Sequence, residues 1–267
     1  MGWDLLSAIG HIGVQCGLGA RPMTGTRILT RNLGIGGETV STPTYLPTTL
    51  LGRLEPAARA ELLESGVRRS VPAGAQILRE GARETHVVLL RNALTKVSAH
   101  MADGRQALLA IRVSGDLVGE ISALNDTPRI ASVVAATPSQ ITIIHRPEFR
   151  AFLRKYPDAA LVVAGIVAER LRHATRHRVD FASYPVKVRL ARVLADIAET
   201  YGTRVPAGVE IGIPLTQPEL AGLCAAAEVS LHKAFRELRE AKIVDTGYRR
   251  VIVLDPEALR TVGDLAA

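Results

Sequence analysis

The sequence contains few cysteines and no long apolar segment. Its 267 residues include only two cysteines, Cys16 and Cys224, which cannot form a disulfide framework or a cysteine-rich metal site. That scarcity excludes iron–sulfur sensing and favours a reducing cytoplasm. No run approaches the ~20 apolar residues that span a bilayer, and Asp4 stands where a signal peptide carries basic residues. We therefore expect a cytoplasmic protein with no membrane partner.

Signatures of catalysis are lacking as well. The chain has no nucleophile elbow, no Walker loop and no set of metal-ligating residues. His173 and His177 have the four-residue spacing of metal ligands on a helix. Three arginines crowd the same stretch and would repel a cation: Arg172, Arg176 and Arg178. We therefore predict that the protein is not an enzyme and requires no metal or other cofactor.

Positive charge is in excess, but it is unevenly spread. The net charge of +7 and the pI of about 9.8 are compatible with nucleic acid binding. Residues 145–184 carry eight Lys and Arg against four Asp and Glu, whereas residues 185–267 carry eleven of each sign. Any DNA-binding surface in the C-terminal part must therefore be a local patch.

The length and a hydrophobic content of 47% predict a globular chain with two domains.

Residues 119–131 have the composition of an anion-binding loop. Gly119 allows a ligand to approach the backbone closely, and a short helical turn after it would point free N–H groups at that ligand. Arg129 supplies a fork of donors suited to one phosphate. Glu120 is unexpected beside a phosphate, unless it accepts a hydrogen bond from a ribose hydroxyl. The stretch predicts a site for a nucleotide monophosphate; the alternative is a hairpin turn with a structural arginine.

This stretch resembles the phosphate-binding cassette of cyclic-nucleotide-binding domains, in which a Gly-Glu pair is followed nine residues later by a Pro-Arg pair. The resemblance implies that Glu120 holds the ribose 2′-hydroxyl and that Arg129 holds the cyclic phosphate of cAMP or cGMP. The residues implied to line the cassette with them are Gly119, Ile121, Ser122, Ile130 and Ala131. Many bacterial members have a serine or threonine hydroxyl at the position of Ile130, where this chain offers only its backbone N–H. The pocket could therefore be empty or hold another effector.

The region around the cassette has the pattern of an antiparallel β-roll. Short apolar runs at residues 87–90, 108–111 and 141–144 alternate with turn signals at intervals of eight to twelve residues. The β-roll of the cyclic-nucleotide-binding domains has this layout. A helix is predicted over residues 54–66. Residues 1–45 show no periodicity, so we expect them to form a loosely ordered extension.

A long helix is predicted from Ala159 to about Ser183. Its apolar positions follow alternating four- and three-residue steps, which indicates a coiled-coil seam with a second copy of the chain. The seam residues are Val167, Leu171, Ala174, Arg178 and Phe181. In the cyclic-nucleotide-binding regulators this helix forms the dimer interface and contacts the base. The resemblance places Ala174 and Thr175 at the base-contacting positions.

The C-terminal part has the pattern of a winged helix-turn-helix. Thr216 and Glu219 have the spacing of a capping box at the start of a helix. A second helix is predicted over residues 228–241, followed by two strands that join at Gly247. The apolar residues expected to be buried on the second helix are Val229, Leu231, Phe235 and Leu238. Helices over 187–200 and after Asp255, and a strand over 209–213, complete the predicted domain.

Residues 215–244 resemble the DNA-binding end of the CRP/FNR transcription regulators, with Thr216 and Gln217 in register, and the resemblance places these two residues among the expected DNA contacts. The family's turn glycine is replaced by Ala225, and its Ser, Arg and Glu at the start of the recognition helix are replaced by residues 227–229. The residues we expect to reach base edges are Ser230, His232 and Lys233. The residues we expect to contact phosphates are Arg236, Arg249 and Arg250.

The motifs occur in the order of that family, with the dimer helix between them. We expect an α+β chain with an extension (1–45), a β-roll (46–155), a dimerisation helix (156–184) and a DNA-binding domain (185–267). The implied function is that of a homodimeric transcription regulator under the control of a small effector, with double-stranded DNA and RNA polymerase as partners. The alternatives are a sensing module that acts through protein contacts, and a regulator without a nucleotide effector.

Overall fold

The structure is a computed structural model, and the residues it describes are 45–101, 104, 106–247 and 250–264. Nearly all of the extension expected over residues 1–45 lies outside these residues, and so does Arg249. In the part that is described, no helix is both long enough and apolar enough to cross a membrane.

The first part of the described chain is an antiparallel β-roll, as the turn spacing predicted. Its strands are β1 (Val67–Val71), β2 (Gln76–Leu78), β3 (Val87–Asn92), β4 (Leu94–His100), β5 (Gln106–Val113), β6 (Leu117–Val118), β7 (Ser132–Ala135) and β8 (Ser139–Ile144). They form two sheets, ordered β1-β8-β3-β6 and β2-β7-β4-β5. The apolar run of β3 is buried on both faces because Val87 and Leu89 pack under the surrounding helices, while Val88 and Leu90 pack inside the roll.

Helices cover one side of the roll. They are α1 (Leu50–Arg53), α2 (Pro56–Glu64), α3 (Glu120–Asn125), α4 (Arg146–Lys155) and α5 (Pro157–Ser183). Phe149 and Phe152 of α4 belong to the core between these helices and β3. α5 begins at a proline, which suits a first-turn position that has no intrahelical partner for an N–H. α3 interrupts the strands between β6 and β7, where the anion-binding loop was predicted.

The C-terminal part is a helix-turn-helix with a small antiparallel sheet. Its elements are α6 (Val186–Tyr201), β9 (Gly202–Val205), β10 (Gly208–Ile211), α7 (Gln217–Leu223), α8 (Glu228–Glu240), β11 (Val244–Gly247), β12 (Arg250–Val253) and α9 (Pro256–Asp264). The sheet order is β11-β12-β10-β9, and β9 is the strand that the sequence did not predict. The capping box of Thr216 and Glu219 is present at the start of α7, which confirms that prediction. The observed elements confirm the α+β class.

The prediction that Val229 is buried is wrong. Its side chain is 81% exposed, whereas Leu231, Phe235 and Leu238 are buried as expected. The reason is angular: nine residues, or about two and a half helical turns, separate Val229 from Leu238, so the two side chains leave α8 on opposite sides. An apolar side chain therefore lies on the exposed side of α8, in its first turn.

The turn between α7 and α8 contains a conformational strain that a single substitution should relieve. Ala225 has φ of +46° and is exposed, so its Cβ is in an unfavourable backbone region and packs against little. We expect Ala225→Gly to raise the free energy of unfolding by about 1 kcal/mol, and Tm by about 2–4 °C, because glycine adopts this region freely. Scanning calorimetry measures the shift. Ala226→Gly is the matched control and should lower Tm, since Ala226 has no positive φ and packs against the core.

Candidate functional site

Gly119 fixes the geometry of the loop before α3. It has φ of +85° and forms the N-terminal cap of the helix. A Cβ at this position would lie 2.5 Å from Nη1 of Arg129 and 3.1 Å from the carbonyl oxygen of His86. Only glycine satisfies both the backbone angle and this close approach. The loop can therefore fold around the Arg129 guanidinium only with glycine at residue 119.

Arg129 is a buried cation with incomplete compensation. It is 4% exposed, and Nη1 donates a hydrogen bond of 2.8 Å to the carbonyl of Gly119, while Nη2 donates to the carbonyl of His86. Among the described residues, its buried Nε has no hydrogen-bond partner. Burial lowers the pKa of the Arg129 guanidinium, against the opposing effect of Glu84 and Glu120. A buried guanidinium with a free donor fits an anionic ligand group.

Glu120 is equally buried, and it is paired with a residue of the long helix. Its side chain accepts a hydrogen bond of 2.7 Å from Nη1 of Arg170, and the residue is 4% exposed. Nη2 of Arg170 donates to the carbonyl of Leu117 at 3.0 Å and lies 3.8 Å from Asp116. The sequence prediction missed Arg170. Its position one residue before Leu171, on the helix implied to contact the base, was the available signal.

The charged cluster continues from the cassette towards the C-terminal domain. Asp116 is buried, and burial raises its pKa, with Arg112 and Arg170 opposing the shift. Tyr201, at the end of α6, lies beside this cluster with its hydroxyl 3.5 Å from the carbonyl of Ile111. Burial, and secondarily Asp116, raises the pKa of Tyr201 to about 12, so its hydroxyl stays protonated. The cluster thus extends from the cassette to Tyr201 in the C-terminal domain.

The other predicted cassette residues are distributed around this pair. Ser122 and Ala131 are buried, Ile121 is half-buried, and Ile130 is 62% exposed. Ala174 and Thr175 are both exposed on α5, one to two turns after Arg170. The structure therefore brings Gly119, Glu120 and Arg129 together, and Arg170 is the residue of α5 that reaches them. Ile130 is exposed, so its side chain adds an apolar group to the surface of the cassette loop.

The exposed stripe of α5 is rotated relative to the predicted seam in the first half of the helix, and the seam positions of the second half are all exposed. Leu171 is 67% exposed, and Ala174, Arg178 and Phe181 are exposed too, whereas Val167 is partly covered. Up to Leu171 the exposed residues follow alternating three- and four-residue steps, Leu161, Ala164, Ala168 and Leu171, and from Leu171 to Val179 every residue is exposed. This stripe is largely apolar in its first half, which is the pattern of a helix with a helical partner.

The predicted DNA contacts lie mainly on one exposed surface. The residues that project from α8 are Ser230, His232, Lys233 and Arg236, and all are exposed. Gln217 is exposed at the start of α7, while the side chain of Thr216 accepts from the Glu219 N–H as the helix cap. Arg250 lies on β12 and pairs with Glu210 at 2.8 Å. Arg249 is outside the described residues.

The two parts of the chain match two families in the order in which their motifs occur. Residues 68–156 match the cyclic nucleotide-binding domain, and residues 188–262 match the Crp-like helix-turn-helix domain. A relative in Mycobacterium tuberculosis, a CRP-like cAMP-activated global transcriptional regulator, is 25% identical over 77% of this chain and 92% of its own length. The chain belongs to the CRP/FNR family of DNA-binding transcription regulators.

Solved structures of CRP/FNR regulators share the fold. A CRP-family regulator of Thermus thermophilus aligns with a TM-score of 0.62 at 23% identity, over 73% of this chain and 96% of its own. The c-di-GMP-responsive global regulator of Xanthomonas campestris aligns with a TM-score of 0.66 at 18% identity, over 74% of this chain and 99% of its own. The name of the Xanthomonas campestris regulator refers to c-di-GMP, and that of the Mycobacterium tuberculosis relative refers to cAMP. As a CRP/FNR regulator, the chain is non-enzymatic and has an effector-binding domain, but membership alone does not identify the effector.

In this CRP/FNR chain, the first helix of the helix-turn-helix is docked on the β-roll. Nζ of Lys96, in β4, donates to both carboxylate oxygens of Glu219 at 2.7 and 2.8 Å and to the carbonyl of Pro214 at 2.7 Å. A Cβ on Gly222 would lie 2.8 Å from the backbone N of Leu108 in β5, so α7 and β5 are in close contact. An ion pair and a glycine contact thus join the effector-binding domain to the DNA-binding domain.

Glu219→Gln should loosen this docking and leave α7 capped. Glutamine preserves the capping box but removes the negative charge, so the largely buried Lys96 ammonium loses its counter-charge. We expect the docking to weaken by about 1–2 kcal/mol, which corresponds to about five- to thirtyfold faster amide hydrogen exchange in α7 and the facing part of β5. Glu240→Gln, at an exposed position of α8, is the matched control. Unchanged exchange in Glu219→Gln would show that the ion pair contributes nothing to docking.

Proposed function

We propose that the chain is a homodimeric transcription regulator controlled by a cyclic nucleotide, with cAMP as the first candidate. The buried Arg129 guanidinium carries this proposal, because its Nε has no hydrogen-bond partner among the described residues and its charge is only partly compensated, which suits a phosphate. Glu120 lies on the same loop and suits a ribose hydroxyl. The cytoplasm is the proposed compartment, and the four segments expected from the sequence remain the proposed domains.

Effector binding would be coupled to the long helix through Arg170. A ribose hydroxyl that donates to Glu120 must share or displace the Arg170 guanidinium, which now donates to the same carboxylate at 2.7 Å. Arg170 belongs to α5, so a change in this contact acts on the helix that leads to the DNA-binding domain. The effector can shift the regulator only by the difference between its affinities for the two states.

The exposed stripe of α5 supports dimerisation. A paired α5 would cover Leu161 and Leu171, and it would place two recognition helices on one side of the dimer. Two such helices, about one DNA turn apart, match a palindromic operator. We therefore propose Ser230, His232 and Lys233 as base contacts, and Arg236 and Arg250 as phosphate contacts.

The second candidate is a regulator of the same family without a nucleotide effector. Ile130 favours it, because this exposed apolar side chain replaces the hydroxyl that would add one hydrogen bond to the phosphate. Such a hydrogen bond to a charged group contributes about 1.5–3 kcal/mol. The backbone N–H of Ile130 remains available to the phosphate, and for that reason the cyclic nucleotide is the first candidate.

Calorimetric titration of the full chain with cAMP, cGMP and linear 5′-AMP tests the proposal. We expect micromolar binding of a cyclic nucleotide and much weaker binding of 5′-AMP, whose extra phosphate charge and open ring do not fit a pocket with one arginine. The absence of binding by both cyclic nucleotides would favour the second candidate. DNA binding is measured separately, so that loss of the effector site and loss of the regulator function give different results.

A further inference from the structure

Val229 lies in the first turn of α8, on the side opposite the buried face. The buried face of this helix is formed by Leu231, Ala234, Phe235 and Leu238. Val229 points away from that face, and Lys233 and Arg236 follow it at four and seven residues, on the same side. The exposed face thus combines one apolar side chain near the helix N-terminus with two cations one and two turns later.

The position of this valine has no structural explanation in the described part of the chain. At 81% exposure it adds little to the core, and a β-branched residue is a weaker helix former than alanine or leucine. A single exposed apolar residue is common on protein surfaces. Here, however, the residue lies in the first turn of a recognition helix, and it is the first-turn residues that contact base edges in helix-turn-helix proteins.

We propose that Val229 is a specificity-determining residue that reads the C5-methyl group of a thymine in each half-site. The valine side chain has no hydrogen-bond donor or acceptor, and the thymine methyl is the apolar group that the major groove presents. Lys233 and Arg236, one and two turns later on the same side of α8, suit the negative charge of the duplex. This inference rests on the proposed DNA-binding function. It adds the recognition of a thymine, which Ser230, His232 and Lys233 would not select.

The test begins with selection of duplexes from a randomised library by the full-length protein, with and without cAMP. We expect enrichment of a palindrome with one thymine position per half-site that Val229→Ala no longer selects, while the other positions keep their preference. Deoxyuridine at that position removes only the methyl group. It should weaken wild-type binding about fourfold per half-site and about fifteenfold when both are replaced, from the burial of one methyl-sized group.

A double comparison separates this contact from general damage to the helix. Val229→Ala should bind thymine and deoxyuridine duplexes equally, and Ser230→Ala should remain sensitive to the methyl group. Equal wild-type affinity for the two duplexes, or a thymine preference that Val229→Ala retains, overturns the inference while DNA binding itself stands. If the wild type enriches no sequence, with or without cAMP, the DNA-binding function fails before any variant is compared, and the inference fails with it.

Discussion

Arg129→Ala should abolish measurable cyclic-nucleotide binding in calorimetry. Removal of a buried cation that pairs with a phosphate costs about 3–5 kcal/mol, which corresponds to a loss of affinity of more than about 100-fold. Alanine supplies no donor to the phosphate, and the desolvation of the phosphate would no longer be compensated. Arg129→Lys should also bind weakly, because an ammonium group keeps the charge but lacks the planar fork.

The control for this variant must separate binding from folding. Arg129→Ala also removes the hydrogen bonds to the carbonyls of Gly119 and His86, so thermal unfolding is recorded for each variant. Arg79→Ala, at an exposed arginine of the same roll, should bind like the wild type. Undiminished nucleotide affinity in a folded Arg129→Ala protein would contradict the assignment of the cassette.

Leu171→Glu should convert the protein to a monomer and remove tight DNA binding. Leu171 is largely exposed in the single chain, so the substitution leaves the fold of the monomer unaffected. In a dimer it would place two carboxylates at a helix–helix contact, where burial of charge is strongly unfavourable. Loss of the second half-site contact should lower the affinity for a palindrome by about 10²–10⁴-fold, since the two recognition helices no longer bind as one unit.

Sedimentation equilibrium and DNA titration measure the two consequences of this change separately. Leu109→Glu places the same charge on an exposed leucine of β5 and should leave both the oligomeric state and the DNA affinity unchanged. A Leu171→Glu protein that remains dimeric would exclude the α5 stripe as the interface. A monomer that keeps wild-type affinity would show that one recognition helix is sufficient for DNA binding.

The sequence alone determined the features that depend on near neighbours in the chain. The glycine with positive φ at residue 119 and the capping box of Thr216 and Glu219 each follow from side-chain and backbone chemistry within a few residues. The strands of the roll follow from apolar periodicity and turn residues in the same way. The proximity of Glu120 and Arg129 was also predictable, because a short helix and a turn bring together residues nine positions apart.

Only the tertiary structure decided which distant charges meet. Arg170 reaches Glu120 across 50 positions of the sequence, and Lys96 reaches Glu219 across 123. The neighbouring residues identify neither partner, because an arginine or lysine has the same local sequence whether it pairs with a distant carboxylate or with water. For Arg170 the available signal was its place on the helix that the family resemblance implies to contact the base. Val229 illustrates a different limit, since its apolar character predicts burial, while the helical period places it opposite Leu238 and the packing of α8 decides which of the two sides is buried. Local chemistry thus specifies the elements, and packing specifies how the effector loop, the long helix and the recognition helix are connected.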